Sequence, residues 1–228
     1  MSTVIASRHL TRVARFYDST IGKKAVMAVT GLILFGFLIA HMLGNLQIFL
    51  GRAVMNHYAE TLHGNPALLW TVRIVLLISV ILHIWASIEL TMIKKEARPI
   101  GYRKRGNVQA SYASRTMMWS GPIIFAFVIF HLLHLTTGTV HPNFVELDAY
   151  DNLVNGFRVI PVAIAYIVAM VLVGMHLSHG IWSMFQSVGF SHPRYTPMIK
   201  TFAAVFSWLL IAGFVSVPLA VLTGLVRS

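Results

Sequence analysis

Six histidines lie within long apolar stretches of a 228-residue chain that contains no cysteine: His41, His83, His131, His134, His176 and His179. Ionisable side chains at membrane depth are costly and are as a rule functional, so six of them in four stretches ask for a common chemistry. An imidazole can give one ring nitrogen to a metal ion while the other fixes the ring through a hydrogen bond. Lack of cysteine removes thiolate catalysis, iron–sulfur clusters and disulfides from this chain. A zinc site would want three or four convergent ligands, and few carboxylates share the histidines' depth. Haem iron needs only two axial imidazoles, one from each of two facing helices, and its macrocycle is apolar enough for a bundle interior. No C-x-x-C-H sequence occurs, so such a haem would be the non-covalent b type.

Five apolar stretches must position these side chains, at approximately 25–50, 68–93, 118–140, 160–185 and 202–226. Each is long enough to cross a bilayer as a helix. The residues are 57% hydrophobic and only 11% charged, which leaves no room for a soluble catalytic or nucleotide-binding domain. The expected fold is therefore an all-α membrane protein, one domain over 1–228, with five transmembrane helices bundled around two haem b groups. The first stretch does not read as a cleavable signal peptide: a basic segment precedes it and it is too long for an h-region.

The net charge of +11 could suggest a polyanion as partner, but its placement argues otherwise. Fourteen of the eighteen basic residues fall on one side. They are Arg8, Arg12, Arg15, Lys23 and Lys24; then Lys94, Lys95, Arg98, Arg103, Lys104, Arg105 and Arg115; then Arg194 and Lys200. The positive-inside rule makes that side cytoplasmic, with the N-terminus inside and the C-terminus outside. Nucleic acid is not an expected partner, because topology accounts for the charge.

Counting along the helices gives each histidine a depth. His41 lies about 24 Å above the start of the first stretch at 1.5 Å per residue, and His131 about 20 Å above the start of the third. His134 equals His41 in depth, so the third stretch offers two outer candidates. The second and fourth stretches run inward, which takes His83 and His176 to the inner half. Two histidines at each of two depths is the layout of two stacked bis-histidine sites. Gly36 and Gly44 flank His41, and Gly174 and Gly180 flank His176; small residues there suit a flat ring or ordinary helix packing equally well.

The chain resembles the cytochrome b membrane subunit of succinate dehydrogenase and fumarate reductase, in its single-subunit, five-helix, dihaem form. The resemblance is carried by His41-Met-Leu-Gly-Asn-Leu, Asn56-His-Tyr-Ala-Glu60, Leu69-Trp-Thr-Val-Arg73 and His176-Leu-Ser-His-Gly-Ile-Trp182, in that order. It implies His41, His83, His131 and His176 as the axial haem ligands, with His131 chosen over His134. His41 with His131 would hold the outer haem, and His83 with His176 the inner. It implies a flavoprotein and an iron–sulfur subunit docked on the cytoplasmic face of a bacterial inner membrane, against the basic loop from Lys94 to Arg115. A higher oligomer of the complex is compatible with it. Electrons would pass between the partner's iron–sulfur centres, the two haems and a membrane quinone, with menaquinone expected.

Quinone chemistry moves protons with electrons and needs an ionisable group near its site. Glu60, beside His57 and His63, is the candidate proton acceptor. Arg73 could pair with an outer haem propionate, and Lys94, Arg115 and Trp119 could meet inner ones. His134 and His179 are candidates for supporting or propionate-side roles. Two other readings compete: a dihaem cytochrome b of a hydrogenase or formate dehydrogenase, and a histidine-lined ion transporter. The transporter would call for clustered carboxylates or broken helices at the midplane, which the first four stretches lack.

Overall fold

A computed structural model describes residues 14–97 and 112–228. His9 and the basic residues Arg8, Arg12, Arg98, Arg103, Lys104 and Arg105 lie outside the described residues. Among the described residues five helices are long and apolar enough to span a membrane: α1 (Thr20–Leu46), α3 (Pro66–Glu96), α4 (Tyr112–Leu135), α6 (Ile160–Ser187) and α7 (Thr196–Leu222). Two short amphipathic helices, α2 (Arg52–His63) and α5 (Ala149–Arg158), fill the connections at one end. No strand occurs among the described residues.

Local chemistry sets the helix ends. The Ser19 hydroxyl accepts from the Gly22 N–H at the start of α1, and Asn65 Oδ1 accepts from the Leu68 N–H ahead of Pro66 at the start of α3. Asp148 Oδ1 caps α5 by accepting from the Asp151 N–H at 3.1 Å. The third span lies at 112–135 rather than 118–140. Gly138, at φ 70°, turns the chain there, while the N–H groups of Thr136 and Thr137 close on the Leu132 carbonyl. Phe144 then packs so tightly that a Cβ on Gly138 would lie 2.3 Å from its ring.

The protein buries its apolar side chains in two places. One cluster fills the end formed by α2 and α5, with Ile48, Met55, Tyr150, Leu153, Val154, Phe157, Tyr166 and Val221. Polar contacts clamp that end: Arg52 pairs with Asp151, Asn56 Nδ2 donates to Asp148 at 2.9 Å, and the Tyr150 N–H donates to Asn56 Oδ1. The second cluster, around Val173, Leu210 and Ile211, seals the seam of α6 and α7. Elsewhere large apolar side chains face outward, as a lipid solvent permits.

Helix packing is uneven around the bundle. α1 packs along α3 and α6, and α6 packs along α1, α4 and α7. By contrast α1 and α4 do not pack closely on each other, and neither do α3 and α6.

Candidate functional site

Those two loosely packed helix pairs are the ones that histidines join. His41 on α1 faces His131 on α4 with ring centres 5.7 Å apart and planes at 84°. His83 on α3 faces His176 on α6 at 6.4 Å. Two imidazoles sharing one metal ion need ring centres about 6 Å apart, from bonds of about 2 Å and roughly 1.2 Å from nitrogen to ring centre. Both pairs match that spacing, and both span a gap that helix packing leaves open. Among the described residues no three His, Asp or Glu side chains converge on one point. The donor sets are therefore imidazole pairs, which fit an iron already held by a macrocycle and do not fit a bare ion.

The pairs occupy different depths. Thr30 Oγ1 lies 3.2 Å from His83 Nδ1, and Ser120 Oγ lies 3.4 Å from His176 Nδ1. On α1 Thr30 precedes His41 by eleven residues, and on α4 Ser120 precedes His131 by eleven. Eleven residues make about three turns, so hydroxyl and histidine share a face about 16 Å apart along each helix. The His41–His131 pair thus lies toward the α2/α5 end and His83–His176 toward the other.

Aromatic rings enclose the first pair. Phe37 stacks on His41 at 5.2 Å, and Phe214 and Phe127 stand 5.8 and 6.0 Å from His41 and His131. Asn45 Nδ2 donates to the His41 carbonyl at 2.8 Å. Tyr166 approaches from α6, its hydroxyl 3.3 Å from His131 Nδ1 and 3.0 Å from His134 Nδ1.

His134 keeps different company from His131. It is fully buried, stacked on Phe130 at 5.4 Å, with His141 at 4.8 Å, and its Nε2 has no hydrogen-bond partner. Its ring turns toward α5 and α6 rather than toward His41. His141 is itself held by its Nε2, 2.8 Å from the Asn152 carbonyl. His179 follows His176 by three residues on the same face of α6 and is half-buried.

The remaining candidates are dispersed. Glu60 is exposed on α2. The Arg73 guanidinium lies over the Trp70 ring at 5.1 Å, near the start of α3. Trp119 is 76% exposed, whereas its neighbour Ser120 is buried against His176, so the structure does not bring Trp119 to that pair. Lys94 and Arg115 are exposed, and Arg115 lies over Tyr112. The glycines divide as well. Gly44 packs on Tyr58 and Gly174 on Ile211 and Trp208, while Gly36 and Gly180 have nothing within 4 Å of where a Cβ would stand.

Two carboxylate clusters, one at each end of the bundle, carry the ion pairs among the described residues. Burial pushes the Asp148 carboxyl up, but hydrogen bonds from Asn56 and the Asp151 N–H, with Arg52 alongside, hold it below the ordinary carboxylate value. At the opposite end the Tyr17 hydroxyl donates to Glu89 at 2.6 Å, and that bond pushes the phenol up. Lys23, only 6% exposed, reaches the same carboxylate at 3.6 Å and ties the start of α1 to α3.

Thr30, Ser120 and Tyr166 are absent from the sequence-derived candidates. The eleven-residue hydroxyl-to-histidine spacing in both α1 and α4 was the signal that could have found the first two.

Five helices long and apolar enough to cross a bilayer, with two facing histidine pairs among them, define a multi-pass membrane protein. The family model of the succinate dehydrogenase/fumarate reductase transmembrane subunit matches residues 94–215, more than half of the chain, and the chain belongs to that family. The match takes in His131, His134, His176 and His179; His41 and His83 precede it. No curated protein and no solved structure matches the chain. The family is in general haem b- and quinone-binding, and implies association with a flavoprotein and an iron–sulfur subunit.

Proposed function

We propose that this chain is the dihaem cytochrome b subunit of a succinate:quinone oxidoreductase, anchoring the flavoprotein and iron–sulfur subunits and carrying electrons to or from a membrane quinone. The observation that supports it most is the pairing of four histidines across two gaps between helices that do not otherwise pack together. His41 and His131 would hold the outer haem, and His83 and His176 the inner. Bound there, haem supplies one-electron transfer across the apolar core.

The chain's own residues hold, orient and enclose. Each histidine would offer one ring nitrogen to the iron, and Phe37, Phe127 and Phe214 would keep water from the outer pair. Glu60, exposed on α2 at the same end, is the proposed proton acceptor for quinone chemistry. Arg73, near the start of α3 at the same end, is the proposed partner of an outer haem propionate. His134 and His179 support the outer and inner pairs. The basic side faces the cytoplasm of a bacterial inner membrane, with the partner subunits docked there, and menaquinone is the proposed quinone.

A dithionite-reduced minus oxidised spectrum of membranes carrying the complex tests this reading. A b-type α-band is expected, and His41→Ala and His83→Ala should each remove about half of it, one haem per variant. Absence of the band would sink the proposal. Co-purification with a flavin-containing subunit separates it from a hydrogenase or formate dehydrogenase cytochrome.

A further inference from the structure

Hydroxyl groups contact the Nδ1 atoms of three of the four paired histidines, and their placement follows the topology. α1 and α3 are consecutive spans, as are α4 and α6, so they form two helical hairpins. Thr30 on α1 meets His83 on α3, within the first hairpin. Ser120 on α4 meets His176 on α6, and Tyr166 on α6 meets His131 on α4, both within the second. The histidine pairs, by contrast, cross from one hairpin to the other.

The hydroxyl protons decide the histidine tautomers. Thr30 Oγ1 donates to the Val26 carbonyl at 2.7 Å, so toward His83 it has only a lone pair to offer. With that assignment His83 carries its proton on Nδ1, the Met27 carbonyl being a second acceptor for the ring, and Nε2 keeps a free lone pair. Ser120 is placed in the same way but more loosely, its Oγ 3.4 Å from His176 Nδ1 and 3.5 Å from the Met117 carbonyl, and giving its proton to the backbone, as Thr30 does, makes it the acceptor for His176. Tyr166 has one proton and two imidazole neighbours. Giving it to His134, the nearer one, makes Tyr166 an acceptor for His131 Nδ1–H and frees His131 Nε2, while the His134 Nε2–H goes without a partner.

We infer that Thr30, Ser120 and Tyr166 are positioning residues that fix the tautomer and ring orientation of His83, His176 and His131, so that each hairpin presents a bare Nε2 to the other. The inference rests on the dihaem reading above. An acceptor on Nδ1–H makes an imidazole a stronger donor to its metal, favouring the oxidised iron and lowering the midpoint potential. Loss of the acceptor raises it.

Redox titration of haem absorbance in membranes carrying the whole complex tests this. Thr30→Val and Ser120→Ala should each shift upward the component that depends on His83, leaving the other in place. Tyr166→Phe should shift only the component that depends on His131. Thr30→Ser should restore the first potential. If Thr30→Val loses that haem, its return in Thr30→Ser supports the assignment, and its absence there counts against it. Unmoved potentials at full haem content, or equal shifts of both components, overturn the inference while leaving the dihaem reading intact. No b-type band in the unaltered protein overturns both.

Discussion

Gly156 of α5 lies directly against His134 of α4: a Cβ on Gly156 would stand 2.6 Å from His134 Cε1 and 3.0 Å from Nε2. The imidazole cannot retreat, because Phe130 stacks on it and Tyr166 and His141 hold its other sides. The amphipathic end helix and the third span are therefore fitted to each other through one missing methyl group.

Gly156→Ala should destabilise the protein. Alanine favours a helix by up to about 1 kcal/mol over glycine, but forced overpacking costs about 1–3 kcal/mol. The net effect should be a lower thermal midpoint in detergent. A midpoint raised by the substitution would show that the ring yields freely.

The two histidines of the third span should separate cleanly by haem content. His131 faces His41, whereas His134 faces Tyr166 and His141. His131→Ala should remove the same haem as His41→Ala, and His134→Ala should retain both haems at reduced thermal stability. Haem-to-protein ratio from the pyridine haemochrome assay reads the difference.

Gly180 lies four residues after His176, so the two share a face of α6, and nothing occupies the space beside it within 4 Å. Gly180→Leu should leave the helices folded, as read by far-ultraviolet circular dichroism, and lower the content of the haem that depends on His176. Full haem content in that variant would assign the open space to lipid.

Acid should loosen the α2/α5 end first. Asp148 has a carboxyl held below its ordinary value in the folded protein, so its contribution is complete above that ordinary value and is lost as pH falls through the folded one. Thermal stability should therefore decline from about pH 4 downward. Asp148→Asn should start lower at neutral pH and show a shallower acid decline, measured by the same melts.

Much of this arrangement is legible in the amino-acid sequence itself. The five spans follow from apolar length, and depth counting puts His41 with the third-span histidines and His83 with His176, while the choice of His131 as the ring that faces His41 comes from the family resemblance. Depth alone left His134 level with His41, because rise along a helix carries no information about which way a ring faces. A difference of one position also separates Trp119, which faces out, from Ser120, which faces His176. The end helices escaped notice because they are short and polar, although Tyr150, Leu153, Val154 and Phe157 after the Asp148 cap carry helical spacing. Hydroxyl partners were hidden for a different reason: serine and threonine in apolar helices usually satisfy themselves on their own backbone.

The division into hairpins bears on how such a protein is made. Synthesis proceeds from the N-terminus, so α1 and α3 can enter the bilayer with Thr30 already bonded to His83 before α4 exists. Each hairpin is then a finished half of two clasps: the His41–His131 clasp waits for α4, and the His83–His176 clasp cannot close until α6 has been inserted. Cofactor capture on this scheme is a late event that joins two preassembled halves, and the chain awaiting it is an intact membrane protein with its two seams still open.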